Sequence, residues 1–207
     1  MKSNVKSVDR ELSPEKTEAI LRGAMQEFLE HGYAGARIDK IVAASGVSKA
    51  TVYRRFPNKE ALFTALIQRM ASKAILFQQQ DFPSPQEEPA AFLKRFATAM
   101  LDNIAQNSQE LMLLRIIMGE SGRFPELAQA FVRAVEKPSL DFLTQYFATH
   151  PQLQSADAEV TARILIGTLI HFVTVRDILH GQEVMPMERD RLVNGLIDLL
   201  IQPKCRL

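Results

Sequence analysis

The amino-acid sequence predicts an all-α protein. Among its 207 residues only 9 are glycine and 10 are proline. Alternating β-branched runs are absent, and apolar residues recur at spacings of three and four nearly throughout. An apolar content of 46% is enough for a sizeable core. We therefore expect helices arranged in one large or two modest domains.

Short local signals place the N-terminal helices. Ser13-Pro14 combines a capping residue with a proline suited to the first helical position, and His31-Gly32 ends that helix. Gly46 supplies the positive φ that a chain needs on leaving a second helix. Ser48 caps a third helix over residues 48–55, because its oxygen can accept from the first N–H groups of that helix.

The second helix is expected at about 37–44, and Asn58 caps a fourth that extends to about residue 79. The proline-rich stretch from Phe82 to Pro89 is the strongest break in the chain. Five more helices are predicted over residues 88–106, 109–121, 124–149, 156–180 and 186–202. The third of these contains Pro138 and should bend or split near Glu136, because proline lacks an N–H and crowds the preceding turn.

The helix predicted over residues 156–180 is unusual because its segment ARILIGTLIHFVTV is apolar nearly all round. A helix tolerates this composition only when two sides are buried. We expect one side to pack within its own domain and the other against a second copy of the chain, with a stripe of the last helix completing the contact. The expected interface residues are Ile166, Gly167, Leu169, Val173, Leu192, Leu196 and Leu199.

Several classes of function are disfavoured. No uninterrupted apolar run approaches the ~20 residues of a membrane span, and the start MKSNVKSVDREL lacks the apolar centre of a signal peptide, so we expect a cytoplasmic protein that binds no membrane. The polar, unpatterned residues 1–12 predict a flexible arm. No nucleophile–base pair, metal-ligand cluster or phosphate loop is recognisable, so no catalytic residue, metal or cofactor is predicted.

Positive charge is concentrated in one short part of a nearly neutral chain. The formal net charge is +1, yet residues 37–59 contain six cations and a single acid, Asp39. Such a patch is typical of a surface that contacts phosphates, although a solvated basic face has the same composition. The six cations are Arg37, Lys40, Lys49, Arg54, Arg55 and Lys59.

The stretch GVSKATVYRRF, residues 46–56, has the proportions of the turn and second helix of a helix-turn-helix. Val52 and Phe56 share one face and can anchor the helix, which leaves a cationic and hydroxyl-rich face outward. On that face Lys49 is suited to guanine, with Arg54 as a second candidate to read bases, and small Ala50 allows close approach to a major groove. The Thr51 and Tyr53 hydroxyls and Arg55 are suited to phosphates. Many helical proteins contain such corners without binding nucleic acid.

Over residues 20–63 the sequence resembles the DNA-binding region of the tetracycline-repressor (TetR) family. The shared, correctly spaced positions are Gly32-Tyr33, Ile41, Gly46-Val47-Ser48, Thr51, Tyr53, Phe56, Lys59-Glu60 and Leu62. The resemblance implies a homodimer with a helix-turn-helix domain, residues 13–58, and a larger domain, residues 80–207, for effector binding and dimerisation, with the fourth helix (about 58–79) connecting them. The implied DNA contacts are Arg37, Ser48, Lys49, Ala50, Thr51, Tyr53, Arg54, Arg55 and Lys59. Where the family usually has threonine at the start of helix two, this chain has Ala36-Arg37.

The run LLRIIMGESGRFPELAQAFV, residues 113–132, is similar to the AefR-like subgroup of TetR-family C-terminal domains. That similarity does not define a ligand. The candidate effector contacts are Phe96, Met100, Arg115, Glu120 and His171. Four of them also have a structural interpretation: Phe96 as plain core, Arg115 and Glu120 as internal braces, and His171 as a core or interface histidine.

The sequence thus predicts a dimeric repressor that a small apolar effector releases from a pseudo-palindromic double-stranded DNA operator. One alternative is a helical small-molecule binding protein or enzyme whose helix-turn-helix is only structural. Another is an activator or nucleoid-type binder with the same reading surface. Turnover in the absence of DNA would favour the first alternative, and the sign of a reporter response would identify the second.

Overall fold

The computed structural model describes residues 13–80, 87–150, 153 and 157–201, except the side chains of residues 73–80. Regular structure within these ranges is helical, as predicted. The predicted arm, residues 1–12, and most of the Phe82–Pro89 break lie outside the described residues. The helices are α1 (Pro14–Gly35), α2 (Ile38–Ser45), α3 (Lys49–Arg55), α4 (Lys59–Gln80), α5 (Pro89–Gln106), α6 (Ser108–Glu120), α7 (Pro125–Phe131), α8 (Lys137–Thr149), α9 (Ala158–Val173) and α10 (Arg189–Ile201).

The chain forms two compact units, one up to Leu66 and one from Ile67 onward. The division falls inside α4, which therefore contributes residues to both units. Each unit has its own buried apolar side chains.

The first unit packs α1, α2, α3 and the start of α4 around aromatic rings. Phe28, Tyr33 and Phe63 have ring centroids between 5.0 and 5.8 Å apart. Gly23 lets α1 approach α2 closely, since a Cβ at this position would lie 3.2 Å from the carbonyl oxygen of Ile41. The absence of a side chain there therefore sets how closely the two helices can pack.

The predicted helix boundaries of this unit are confirmed by their caps. Ser13 Oγ accepts from the N–H of Lys16 at 3.4 Å, and Asn58 Oδ1 accepts from the N–H of Ala61 at 2.8 Å. Gly32 has a φ of +67°, which interrupts the helical conformation of α1 at the position where its end was expected. These signals are local, which is why the sequence alone could identify them.

The second unit is built mainly from α5, α8, α9 and α10. Its core contains Phe92, Leu93, Phe96, Ala97, Leu101, Leu143, Tyr146, Phe147, Leu153, Ala162, Leu165, Ile166, Leu169, Phe172, Val173, Val193, Leu196 and Ile197. The bend expected near Glu136 is a π-helical turn, Val132–Glu136, that joins α7 to α8. Pro138 lies at the start of α8, where a missing N–H costs little.

The apolar helix α9 continues through a second π-helical turn, Thr174–Ile178. By length and composition alone, Ala158–Ile178 meets the criterion for a membrane span, which the sequence analysis did not anticipate. A core helix of a soluble protein passes the same test. Ala162, Leu165 and Leu169 of this helix are fully buried in the core of the second unit, so that face is covered by its own chain.

Candidate nucleic-acid interface and effector cavity

The helix α3 is held to the first unit by one apolar face. Val52 is fully buried and Phe56 is 5% exposed, as their spacing predicted. Gly46 has a φ of +65° in the turn before α3, and Ser48 Oγ accepts from the N–H of Thr51 at 3.3 Å. With its anchor inward, the helix presents Tyr53, which is 38% exposed, on its outer side.

Lys49, the residue expected to read bases, forms an ion pair with Asp39 of α2. Its Nζ lies 2.8 Å from Asp39 Oδ1 and 5.6 Å from the ring centroid of Tyr53. The hydrogen bond from Lys49 lowers the pKa of Asp39, and the same bond raises the pKa of Lys49. Both side chains are more than half exposed, so DNA can exchange for this pairing at little cost.

The remaining predicted contacts of α3 are distributed over its exposed surface. The hydroxyls of Ser48 and Thr51 lie 2.8 Å apart and hydrogen-bond to each other. Ala50 and Arg54 are exposed, and the exposed Arg55 guanidinium lies 5.6 Å from the ring centroid of Phe56. The structure thus gathers hydroxyl, cationic and small side chains on one short helix.

The unusual Ala36-Arg37 pair is supported by a residue that the sequence analysis did not single out. Arg37 is the N-cap of α2 without a side-chain cap, and its backbone N–H donates to Glu27 Oε1 at 2.9 Å. Glu27 is only 7% exposed, and its Oε2 lies 3.5 Å from His31 Nδ1. The usable signal was its spacing, since Glu27 lies three residues after Ala24 on the buried face of α1.

Lys59, expected to contact phosphate from the first turn of α4, has partners within the first unit. Its Nζ donates to the carbonyl oxygens of Ala34 and Ala36 at 2.9 and 3.3 Å, and it lies 4.9 Å from the ring centroid of Tyr33. The Lys59 ammonium therefore links α4 to the end of α1. It is not simply solvated, and contact with phosphate is not its only use. Its contact with DNA stays a prediction.

The second unit contains a cavity of about 350 Å³, large enough for a small organic molecule. Its wall is mostly apolar and includes Phe96 and Met100, two of the candidate effector contacts. The complete lining is Met70, Phe96, Met100, Asn103, Ile104, Glu110, Leu111, Leu114, Ile117, Met118, Ser121, Ala128, Phe131, Val132, Val135, Glu136, Ser139, Ile166 and Ile170.

The other candidate effector contacts, Arg115, Glu120 and His171, are not among the residues that line this cavity. Arg115 donates to the carbonyl oxygen of Asp177 and lies 3.2 Å from His180 Nε2, which ties α6 to the second π-helical turn. Its structural interpretation as a brace therefore has a concrete geometry. Within the described ranges no group of His, Cys, Asp or Glu side chains could hold a metal ion.

The residues predicted for a dimer interface differ in how much surface they expose. Leu169, Val173 and Leu196 are 0%, 2% and 6% exposed within their own chain, so they have little surface left for a partner. The opposite face of α9 carries Val160 and Ile164, each 50% exposed. Along the same outer surfaces Gly167, His171 and, on α10, Leu199 are exposed, whereas Ile166 is buried and Leu192 is half-buried.

A short helix with an apolar anchor and an outward cationic face, next to a helix that supports its turn, is the arrangement found in helix-turn-helix DNA-binding regulators. Two family models match the chain: "Bacterial regulatory proteins, tetR family" over residues 20–66, and "AefR-like transcriptional repressor, C-terminal domain" over residues 91–202. The chain belongs to the TetR family of bacterial regulators. It is a DNA-binding transcriptional repressor and not an enzyme.

Individual relatives agree with this assignment over most of the chain. The HTH-type transcriptional repressor BepR of Brucella suis biovar 1 (strain 1330) is 26% identical over 200 residues, which are 91% of this chain and 93% of BepR. The structure of the flavonoid-responsive regulator FrrA is 27% identical with a TM-score of 0.75, covering 93% of this chain and all of FrrA. FadR from Bacillus subtilis, solved in complex with stearoyl-CoA, shares the fold at 21% identity and a TM-score of 0.71, covering 89% of this chain and 97% of FadR.

Proposed function

We propose that this repressor acts as a homodimer that presents two copies of α3 to successive major grooves of a pseudo-palindromic operator. The observation that carries the proposal is the division of α3 into a buried apolar face and an exposed face bearing Lys49, Tyr53 and Arg54. Two-fold symmetry would space the two helices by one turn of DNA, ~34–36 Å. In the complex, Lys49 exchanges Asp39 for a base edge, and Ser48, Thr51, Tyr53 and the arginines contact phosphates.

The surface proposed for dimerisation is the outer face of α9 with the outer face of α10. On the outer face of α9, Val160 and Ile164 are each 50% exposed, so apolar surface remains to be covered. Gly167 lies on that face and permits close approach of a second helix. A second copy of the chain, in the cytoplasm, is the partner that accounts for this surface in a DNA-binding protein with a symmetric operator.

A small apolar effector occupies the cavity of the second unit and favours a conformation that binds DNA weakly. The apolar wall supports this role, and the names of FrrA and of the FadR complex show that proteins of this fold respond to or bind organic molecules. The helix α4 contributes Lys59 to the first unit and Met70 to the cavity wall, so the same helix takes part in both.

The test is binding to a promoter fragment whose protected site is identified by footprinting. We expect two protected half-sites one helical turn apart, and an affinity that falls steeply with salt because lysines and arginines displace counterions from phosphates. Lys49→Ala and Tyr53→Ala should each weaken binding about tenfold or more. Lys94→Ala, which removes an exposed cation from α5, is the matched control and should bind like the parent.

Parent-like binding by Lys49→Ala and Tyr53→Ala at matched salt would show that α3 is not the reading helix. A single protected half-site with full affinity would exclude the symmetric dimer while leaving the DNA-binding role intact.

A further inference from the structure

The charged side chains in the cavity wall are all acidic. Two carboxyl groups, Glu110 of α6 and Glu136 of the first π-helical turn, line the cavity, and its described lining contains no lysine, arginine or histidine. Asn103, Ser121 and Ser139 add neutral polar groups. An anionic ligand would therefore enter an apolar space with negative charge and no cation to receive it.

Glu136 is the more informative of the two carboxyl groups. It is half-buried, and no hydrogen bond or ion pair in the described part of the chain reaches its carboxylate. Burial raises the pKa of Glu136, with no opposing contribution from a nearby cation. A carboxylate in this position is costly unless a positive group accompanies it.

A neighbouring cavity of about 860 Å³ shares Glu136, and the four other charged groups of its wall form two ion pairs. Lys137 Nζ lies 2.6 Å from Asp141 Oδ2, and Arg163 donates to Glu159 Oε1 at 2.7 Å. Neither cation contacts Glu136 in this arrangement. A ligand that carries a positive group could supply the partner that Glu136 lacks.

We infer that the cavity binds a lipophilic cation, an apolar molecule with an ammonium or comparable positive group, with Glu136 as its counter-ion. Phe96 and Phe131 contribute aromatic side chains to the same wall, and Met70, Met100 and Met118 provide an adaptable apolar surface. That the ligand is the effector rests on the proposed function. The preference of the cavity for a cation rests on the residues of its wall.

The test compares three probes with the same chain: octyltrimethylammonium, octanol and octanoate. Calorimetric titration of the full-length protein should give the order ammonium, octanol, octanoate from tightest to weakest. Glu136→Gln should weaken ammonium binding at least about tenfold and leave octanol unchanged, because only the cation uses the charge. Glu126→Gln, an exposed carboxyl of α7 outside the wall, is the matched control and should behave like the parent.

A pH series on the parent gives a second measurement that does not depend on the variant. Because burial raises the pKa of Glu136, the carboxyl loses its charge as the pH falls through that raised value. Ammonium affinity should then fall, octanol affinity should not, and Glu136→Gln should flatten the ammonium profile. The variant should remain folded at neutral pH, since the folded parent is penalised there for an ionised Glu136 and glutamine removes that penalty.

Equal or tighter binding of octanoate, or an unchanged ammonium affinity in Glu136→Gln, would overturn the inference. Operator binding measured with the same probes separates this outcome from failure of the proposed function. If octanol or octanoate releases the operator without any preference for the cation, the effector role stands and the charge inference fails. If the ammonium probe binds through Glu136 but operator affinity does not change, the charge inference stands and the effector role fails.

Discussion

The two units differ in how completely their buried polar groups are paired. In the first, Glu27 accepts a backbone N–H and Lys59 donates to two carbonyl oxygens. In the second, three buried side-chain atoms of the described ranges have no hydrogen-bond partner: Arg115 Nε, Thr144 Oγ1 and the Tyr146 hydroxyl. A fourth, Arg176 Nε, has no hydrogen bond but lies 3.6 Å from Asp177 Oδ1. Burial raises the pKa of Tyr146 to about 12.

The helices of the second unit are also less regular than those of the first. Both π-helical turns and the cavity lie in the second unit. Such turns and unpaired polar groups lower the cost of local rearrangement. A unit that docks on the fixed geometry of a DNA groove benefits from rigidity, and a unit that admits a ligand benefits from incomplete packing.

The largest expected effect is a loss of stability when one phenylalanine of each unit is replaced by alanine. Phe63 is fully buried among Phe28 and Tyr33, so Phe63→Ala should lower the free energy of unfolding by about 3–5 kcal/mol. Phe131 is half-buried at the cavity wall, and Phe131→Ala should cost about 1–2 kcal/mol. Urea unfolding measures both values. Equal costs would mean that the cavity wall is packed as tightly as the aromatic core.

An intermediate effect is expected when atoms are added instead of removed. A Cβ at Gly23 would lie 3.2–3.3 Å from atoms of Ile41, Ala44 and Ser45, so Gly23→Ala should lose about 1 kcal/mol net despite the better helix propensity of alanine. Ala128 lines the cavity, and Ala128→Leu should gain about 1 kcal/mol by filling it and should weaken binding of octyltrimethylammonium. Thermal unfolding and calorimetric titration check the pair. If Gly23→Ala stabilised the protein and Ala128→Leu destabilised it, the first unit would be the more loosely packed of the two.

The smallest expected effect concerns the surface ion pair of the first unit. Asp39→Asn frees Lys49 and removes an acid from the DNA-facing side, so operator affinity at low salt should rise about two- to fivefold with unchanged thermal stability. Asp198→Asn, an exposed site on α10, changes the net charge equally and serves as the control. A similar gain in both variants would assign the effect to net charge and not to the Asp39–Lys49 pair.

The position and the buried face of α3 were predictable because the sequence signals that set them are local. Ser48, Gly46 and the spacing of Val52 and Phe56 each act within one turn of chain, and the structure confirms all of them. The role of Glu27 was missed because its partner, the N–H of Arg37, lies ten residues away on another helix. The internal partners of Lys59 were missed for the same reason, at separations of 25 and 23 residues.

The sequence by itself determined the helical class, the helix boundaries of the first unit and the family, since capping, proline placement and apolar spacing operate over a few residues. Only the tertiary structure decided which face of α9 is buried, because an apolar helix carries no periodic mark of its inner side. It also decided which residues enclose the cavity and that Glu136 lies in its wall, since a cavity is formed by side chains brought together from several helices. Interactions between residues close in sequence can be inferred from the sequence, whereas a cavity exists only after the helices have packed.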